Sequence, residues 1–457
     1  MEFTYSHLYK HSLYQCQISP DNKYVANTVD STVVIRDHSQ DMVIMHVYET
    51  NHPVDWMCWS PDAQYIATMN HKRSVANVWS INDTNKKITL SDRRFGLAQA
   101  WWSPDSSSLL ISSDLDLKIT VWMFIKNEIK YIYQPKIRDI GCVSSPDGKY
   151  IAVVEKKDSK DYLIILNAKS FSLLQRFLLG TTDVVKVQWS PDSQFCAVID
   201  NCIYYKIMVY RLDGQLEYSY SAYEYGLGIK SISWHNKMMA IGSYDGNIRL
   251  INTINWHLVS TLPHPNVIRS NELKSLTVYE EYQLPNMTKP TLDTKVGYRV
   301  ISKRPLQLPV LRPDYNKHDP SIGISECDFC IDGTLLATKN DAMPTTLWIW
   351  DVHKLKVCII ISQLNPVRYV KWNPKYAHVL VMVCGDENAY ILCQKPSLQR
   401  QQQHSSSIDW AQSLKIIPIT VPTSKFSARH IEWSQDGETL LLLDHHLYCL
   451  ASLYFLH

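Results

Sequence analysis

A short motif, most often Trp-Ser-Pro-Asp, returns along this chain at an almost constant interval. The residue before each Ser-Pro-Asp-like triplet is Ile18 (ISPD), Trp59 (WSPD), Trp102 (WSPD), Ser144 (SSPD), Trp189 (WSPD), Trp234 (WHNK), Phe329 (FCID), Trp372 (WNPK) and Trp433 (WSQD). The intervals are 41, 43, 42, 45, 45, 95, 43 and 61 residues. A period of about 40–45 residues is that of a four-stranded propeller blade. Each of the two long intervals reads as one period plus an insertion, of about 50 and about 20 residues.

The second unit shows the internal grammar. VDWMCW (54–59) is a β-rich run, and Pro-Asp supplies a turn. QYIATM (64–69), SVANVW (74–79) and a stretch around ITL (88–90) follow as further strands. Proline presets φ for a tight turn, and aspartate accepts backbone N–H bonds within it. The motif is therefore punctuation, and its serine is a turn residue rather than a nucleophile.

Nine such units account for nearly the whole chain of 457 residues. Two seven-bladed rings would need about 590 residues at this period, so the length points to one closed all-β propeller. Nine blades is the direct count; eight, or one irregular blade, is the alternative. The last unit, RHIEWS (429–434), TLLLLD (439–444) and HLYCLAS (446–452), lacks an outer strand. EFTYSHLY (2–9) is spare at the N-terminus and is expected to supply it.

A hydrophobic fraction of 45% and a charged fraction of 20% describe a core-burying globular chain. The net charge of +2 gives no footprint for nucleic acid or anionic membrane. No stretch approaches the roughly 20 apolar residues of a membrane span. The N-terminal MEFTYSHLYKHSLYQ has neither an apolar core nor a basic leader. The 11 cysteines then read as thiols in a reducing cytoplasm, where the sequons at Asn82 and Asn286 go unused.

Catalytic and ligand motifs are missing: no phosphate-binding loop, nucleophile elbow, HExxH or EF-hand occurs. Cys327 and Cys330 form a lone CxxC without a second pair, so no metal site, and no cofactor, is expected. His445–His446 reads as a turn dipeptide. Arg93-Arg94-Phe95-Gly96 carries, in scrambled order, the Phe-Arg-Arg-Gly of phosphoinositide-binding propellers, and reads as a solvated loop. Trp350-Asp351 lacks the arginine two residues on that ubiquitin-ligase adaptor propellers use.

Strand order puts the Ser-Pro-Asp turns on one face. The other rim collects the unusual segments: EKKDSKDYLI (155–164), IDNCIYYK (199–206), YSAYEYGLGIK (220–230), KNDAMPTT (339–346) and QLNPVR (363–368). An insertion, roughly 262–322, enters between blades six and seven, with β-like runs LTVYEEY (276–282) and YRVISK (298–303). A polar stretch over 394–410 reads as a disordered loop. Tyrosine and arginine on an exposed rim serve as interface anchors. The candidate partner-binding residues are Asp158, Lys160, Asp161, Tyr162, Tyr223, Glu224, Tyr225, Asn340, Asp341 and Arg368. The competing reading has tyrosines such as Tyr223 and Tyr225 only packing between blades.

YSAYEYGLGIKSISW (220–234), IGSYDGNIRLIN (241–252), VVEKKDSKDYLIIL (153–166) and LATKNDAMPTTLWIWDVHKLKV (336–357) carry a more specific resemblance. Over essentially its whole length the chain resembles the spindle-pole and centrosomal WD-repeat proteins, the family of WD-repeat protein eight, encoded antisense to a p53-related gene in mammals. It departs from their pattern at WHNK (234–237) and in the composition of its insertion. The resemblance implies a non-catalytic adaptor in the cytoplasm, at the centrosome or spindle pole body, that anchors microtubule minus ends through a coiled-coil anchoring protein. It implies as further partners a minus-end-directed kinesin and gamma-tubulin-containing assemblies, and, in ciliated cells, service to centriolar satellites and cilium formation. A ubiquitin-ligase substrate receptor and a phosphoinositide-binding propeller are the alternatives.

Overall fold

The computed structural model describes residues 2–83, 86–136, 142–222, 226–269, 276–283, 296–314, 316, 320–384, 388–394, 414–421, 423 and 426–454. The described residues form strands and turns without a helix. They include nine antiparallel-built sheets of four or more strands, so the blade count is nine. The chain divides into two compact units, Leu8–Ile229 and Met1–His7 with Lys230–His457.

The first unit holds blades one to five. Blade two is typical: Trp56–Trp59, Tyr65–Asn70, Val75–Ser80 and Lys87–Ser91 lie side by side in chain order. Middle strands here are buried over almost their whole length because both of their faces are covered. Successive side chains of a strand point to opposite faces. In blade four, Ile151 and Val153 therefore pack with Leu110 and Ile119 of blade three, while Ala152 and Val154 pack with Val187 and Cys196 of blade five. Each valine, leucine or isoleucine among them contributes about 1.5–3 kcal/mol when fully buried. Outer strands alternate or stay open, as in Glu128–Tyr133, which is almost wholly exposed.

The motif is a hydrogen-bonded turn. Ser60 Oγ donates to Asp62 Oδ1 at 2.6 Å, Asp62 Oδ1 accepts from Gln64 N at 3.0 Å, and Ser60 Oγ accepts from Tyr65 N at 2.9 Å. Ser103 with Asp105, Ser145 with Asp147 and Ser190 with Asp192 repeat the serine-to-aspartate bond in this unit. The following residue adopts a left-handed conformation, at Ala63 with φ 58° and at Gly148 with φ 69°. The tryptophan has a separate task. Trp59 Nε1 donates to Gln17 O, Trp102 Nε1 to Cys58 O and Trp189 Nε1 to Val143 O, so each indole ties its blade to the inner strand of the one before.

The second unit holds blades six to nine. Blade seven has six strands: Ile324–Phe329, Leu335–Asn340, Thr346–Asp351 and Lys356–Ser362, then Thr277–Gln283 and Val296–Val300 from the insertion. Thr277–Gln283 runs parallel to Lys356–Ser362, an addition the sequence does not announce. Its turn uses a thiol where other blades use a hydroxyl: Cys330 Sγ donates to Asp332 Oδ1 at 2.7 Å and accepts from Leu335 N at 3.1 Å. At WHNK the Ser-Pro-Asp turn is replaced by a tight connection between Ile229–His235 and Met238–Ser243, with Asn236 at φ 43°. Blade nine consists of His430–Trp433, Thr439–Leu443 and Leu447–Tyr454, completed by Glu2–Tyr5 in antiparallel register from Glu2↔Tyr454 to Tyr5↔Ala451. The N-terminus thus supplies the missing strand.

Candidate partner-binding surface

In the first unit the candidate surface is the tip of the blade four hairpin. Tyr150–Lys157 and Lys160–Asn167 have eight residues each, against six for the middle strands of blade two. The two added residues per strand extend the hairpin by about 7 Å. Its turn is Asp158-Ser159, with φ 50° and 60°, the double left-handed geometry that suits the twist of a two-residue hairpin. Asp158, Ser159 and Lys160 are exposed. Tyr162 is half-buried, with the Arg176 guanidinium 4.6 Å from its ring centroid and Arg176 held by Glu155 at 2.7 Å.

Asp161 is not a surface contact. Its side chain is buried, and Oδ2 accepts from Lys136 Nζ at 2.8 Å and from Val184 N at 2.7 Å. Lys136 also meets Asp183 Oδ1 at 2.7 Å, and Lys156 reaches the same oxygen at 3.2 Å. Burial pushes the Asp183 carboxyl up, but the Lys136 and Lys156 ammoniums outweigh it and hold the group below the usual carboxylate range. Asp200 accepts the backbone N–H groups of Thr182 and Asp183. The cluster fixes the link between blades four and five and is structural. Tyr223, Glu224 and Tyr225 lie outside the described residues. Their neighbours Tyr218 and Tyr220 stack on each other, and Tyr205 meets Tyr220 edge-on.

In the second unit, Asn340 is also buried, its Oδ1 accepting from Ala342 N at 3.0 Å. Asp341 is half-buried and engaged twice, by Ser325 Oγ at 2.6 Å and Lys230 Nζ at 2.8 Å. Both residues shape their own loop, which corrects the reading of them as open contacts. Arg368 is exposed at the end of the link into blade eight. That link is fastened from behind by the insertion: Leu364 N donates to Glu281 Oε2 at 2.7 Å, and Gln363 bonds the Tyr298 hydroxyl.

The Trp350-Asp351 pair is likewise structural. Trp350 Nε1 donates to Thr338 Oγ1 at 2.9 Å, and Thr338 Oγ1 lies 2.8 Å from His264 Nε2. His264 Nδ1 faces Gly246 O at 3.0 Å, which requires the proton on Nδ1 and lets Thr338 donate to Nε2. Burial pushes this imidazole down to about 3, so it stays neutral. Trp348 and Trp350 stack beside it.

Sequence reasoning missed a titratable group on the inner strands of blades seven to nine. Glu432 is half-buried, and the protein packed around it takes its carboxyl up to about 7 against the pull of Lys371. Asp328 and His430 keep solvent-exposed surface, yet the surrounding protein still raises Asp328 against Lys371 and lowers His430 together with Lys371. These residues sit on β-runs that read only as strands, because alternation marks a covered face and not what the other face meets. Among the described residues no group of three or more His, Cys, Asp or Glu side chains could hold a metal ion. No described helix is long and apolar enough to cross a membrane.

Comparison with known proteins agrees with the repeat. The model of the anaphase-promoting complex subunit 4 WD40 domain matches residues 187–270. The C-terminal WD40 domain of Sif2 has a similar fold, with a TM-score of 0.51 at 10% identity and 99% of each chain covered. An uncharacterized WD repeat-containing protein of Schizosaccharomyces pombe is 23% identical over 92% of this chain and 85% of its own length. The WD repeat-containing protein WRAP73 of Mus musculus is 30% identical over 465 aligned positions, 98% of this chain and 96% of that protein. The chain is a WD-repeat propeller scaffold and belongs to the WD repeat-containing protein family that includes mouse WRAP73.

Proposed function

We propose that this protein is a non-catalytic adaptor that anchors microtubule minus ends at the spindle pole or centrosome, through a coiled-coil partner. The observation that carries this reading is the likeness to mouse WRAP73 over 98% of this chain and 96% of that protein. It joins the resemblance of 153–166, 220–234 and 336–357 to the spindle-pole and centrosomal WD-repeat proteins. A minus-end-directed kinesin and gamma-tubulin-containing assemblies are further proposed partners, and the cytoplasm with its microtubule-organising centre is the proposed location. The exposed blade four tip and Arg368 are the surfaces offered to them. The test is affinity purification of the tagged chain with mass spectrometry, alongside imaging of the same tag through mitosis. Recovery of a coiled-coil protein with pole localisation supports the reading; a diffuse tag with no such protein sinks it.

A second reading is a substrate receptor of a ubiquitin ligase; residues 187–270 match the anaphase-promoting complex subunit 4 WD40 domain. His353 stands where adaptor propellers carry arginine, which weighs against the substrate-receptor form. Ligase subunits in the same purification would favour it.

A further inference from the structure

A cavity of about 230 Å³ lies at blade two of the first unit, beside the link that enters it from blade one. One wall is the link 50–54, and another is the face of blade two that carries Thr68, Asn77 and Thr89 in register. Lys87, Arg93 and His52 stand in its lining, and no aspartate or glutamate does. Neither Lys87 nor Arg93 has a carboxylate partner among the described residues. Lys87 Nζ is 4.5 Å from the Trp79 ring centroid, which holds the ammonium on the cavity side of the sheet.

The lining is polarised toward donors. Asn77 is only 8% exposed, and its Oδ1 accepts from Thr89 Oγ1 at 2.8 Å. Its Nδ2 donates to no described residue and is not sealed from solvent, so it is open to a ligand in the cavity. Neighbouring groups are spent: Asn70 Nδ2 bonds Pro53 O at 2.7 Å, and the Thr50 hydroxyl bonds Ser31 O at 2.6 Å. What remains is an amide donor that reaches the cavity, an imidazole and two exposed cations without counter-charges, which together suit an anion with several acceptor oxygens.

We propose that this cavity is a phosphoryl-binding site that takes the phosphorylated side chain of a protein partner. A phosphoryl group carries about −1.5 to −2 charge and three acceptor oxygens, enough for donors on separate walls. The volume falls below the roughly 300–1,000 Å³ of sites that enclose a whole small molecule, which suits a group presented by a larger body. A membrane phosphoinositide is disfavoured because Phe95, the exposed aromatic beside Arg93, already has Lys118 Nζ at 4.1 Å from its ring centroid and is not free to insert. The site goes beyond the adaptor reading and stands whichever partner anchors the protein.

The test uses the full chain and a short fluorescein-labelled Gly-Ala peptide bearing one phosphoserine, read by fluorescence anisotropy. The expected result is saturable binding that inorganic phosphate competes away and the unphosphorylated peptide lacks. Lys87→Glu with Arg93→Glu should weaken it by about tenfold or more at an unchanged melting temperature. Asn77→Leu should also weaken it, and is compared per folded molecule. Lys72→Glu with Arg73→Glu, exposed charges on the adjacent loop, should leave it intact. Absent saturable binding, or equal loss in the Lys72/Arg73 control, overturns the site. Binding by inorganic phosphate alone, with no preference for the peptide, overturns the partner assignment. So does flotation with phosphatidylcholine vesicles doped with a phosphatidylinositol phosphate in the absence of peptide binding.

Discussion

Tyr390 of blade eight donates its phenolic hydrogen to Glu281 Oε1 of the insertion at 2.7 Å, and both side chains are buried. The other carboxylate oxygen accepts from Leu364 N, and Tyr279 of the same insertion strand packs with Leu380, Met382 and Leu392. The insertion is therefore built into the second unit, covering the outer edge of blade seven and bracing the link into blade eight. Outer edges of sheets are exposed to wrong pairing, and a strand of the chain's own protects this one. Tyr390→Phe should cost about 1–3 kcal/mol, since it strands an acceptor in the interior. Urea unfolding checks it, and a loss below about 0.5 kcal/mol would mean that the insertion is only laid against the blade.

Removal of residues 1–6 should have a larger effect. It deletes the Glu2–Tyr5 ladder and the bonds from Ser6, whose N donates to Leu450 O at 2.9 Å and whose Oγ accepts from Leu450 N at 3.0 Å. Leu447–Tyr454 would become an open edge, so aggregation or a markedly lower melting temperature is expected. A soluble truncation that melts with the full chain would contradict a structural role for the N-terminus.

Within the repeated motif, two parts can be weighed separately. Asp62→Ala loses the bonds to Ser60 Oγ and Gln64 N and should cost about 0.5–2 kcal/mol. Trp102→Phe keeps an aromatic ring but loses the indole bond to Cys58 O, with an expected cost of about 0.5–1.5 kcal/mol plus lost packing. Calorimetry of both variants compares turn with inter-blade tie.

How much of this was legible differs by feature. The turns were readable because proline, aspartate and the left-handed fourth residue act within four positions. The tie made by the tryptophan was not, since its acceptor lies a full repeat upstream, as with Trp59 and Gln17. The insertion's strands showed as β-rich runs at 276–282 and 298–303, yet the parallel pairing of Thr277–Gln283 with Lys356–Ser362 leaves no local signature. Asp161 and Asn340 looked like rim contacts because polar residues near a hairpin usually face water. Lys136, 25 positions away, and the Val184 amide draw Asp161 inward. Cys330 shows the reverse: a residue that invites a metal reading does the work of a turn serine.

The half-buried Glu432 predicts a pH dependence. Its folded value, raised to about 7, lies above the ordinary 4.5, so the folded state binds the proton more tightly than the unfolded state. The associated stability is fully present below about 4.5 and is lost as pH rises through 7. Glu432→Gln should therefore match the wild type near pH 4.5 and exceed it by about 3 kcal/mol at pH 8.5. His264 runs the other way, since its lowered value costs stability as pH falls below 6.5, but it is common to both proteins and cancels. A difference independent of pH would show that Glu432 is charged throughout.

The blade four hairpin separates surface from scaffold within a few residues. Asp158 and Lys160 are exposed at a tip that projects beyond the neighbouring blade, whereas Asp161 is buried under Lys136 and the Val184 amide. Asp158→Asn with Lys160→Glu should leave the melting temperature within about a degree, because Asn keeps the left-handed turn position and exposed charges away from special contacts change stability by under 0.5 kcal/mol. If the tip is the docking surface, the same change should reduce recovery of the coiled-coil partner by about tenfold, as for loss of rim complementarity with a hot spot nearby. Asp161→Ala should do the opposite. It leaves the half-buried Lys136 with only the half-exposed Asp183 and strands the Val184 amide, and a cost of about 1–3 kcal/mol is expected. The folded fraction of that variant should still bind. Thermal melting and co-precipitation on both variants decide the matter: full recovery with the altered tip moves the interface away from blade four and makes Arg368 and the adjoining 363–368 link the next surface to test.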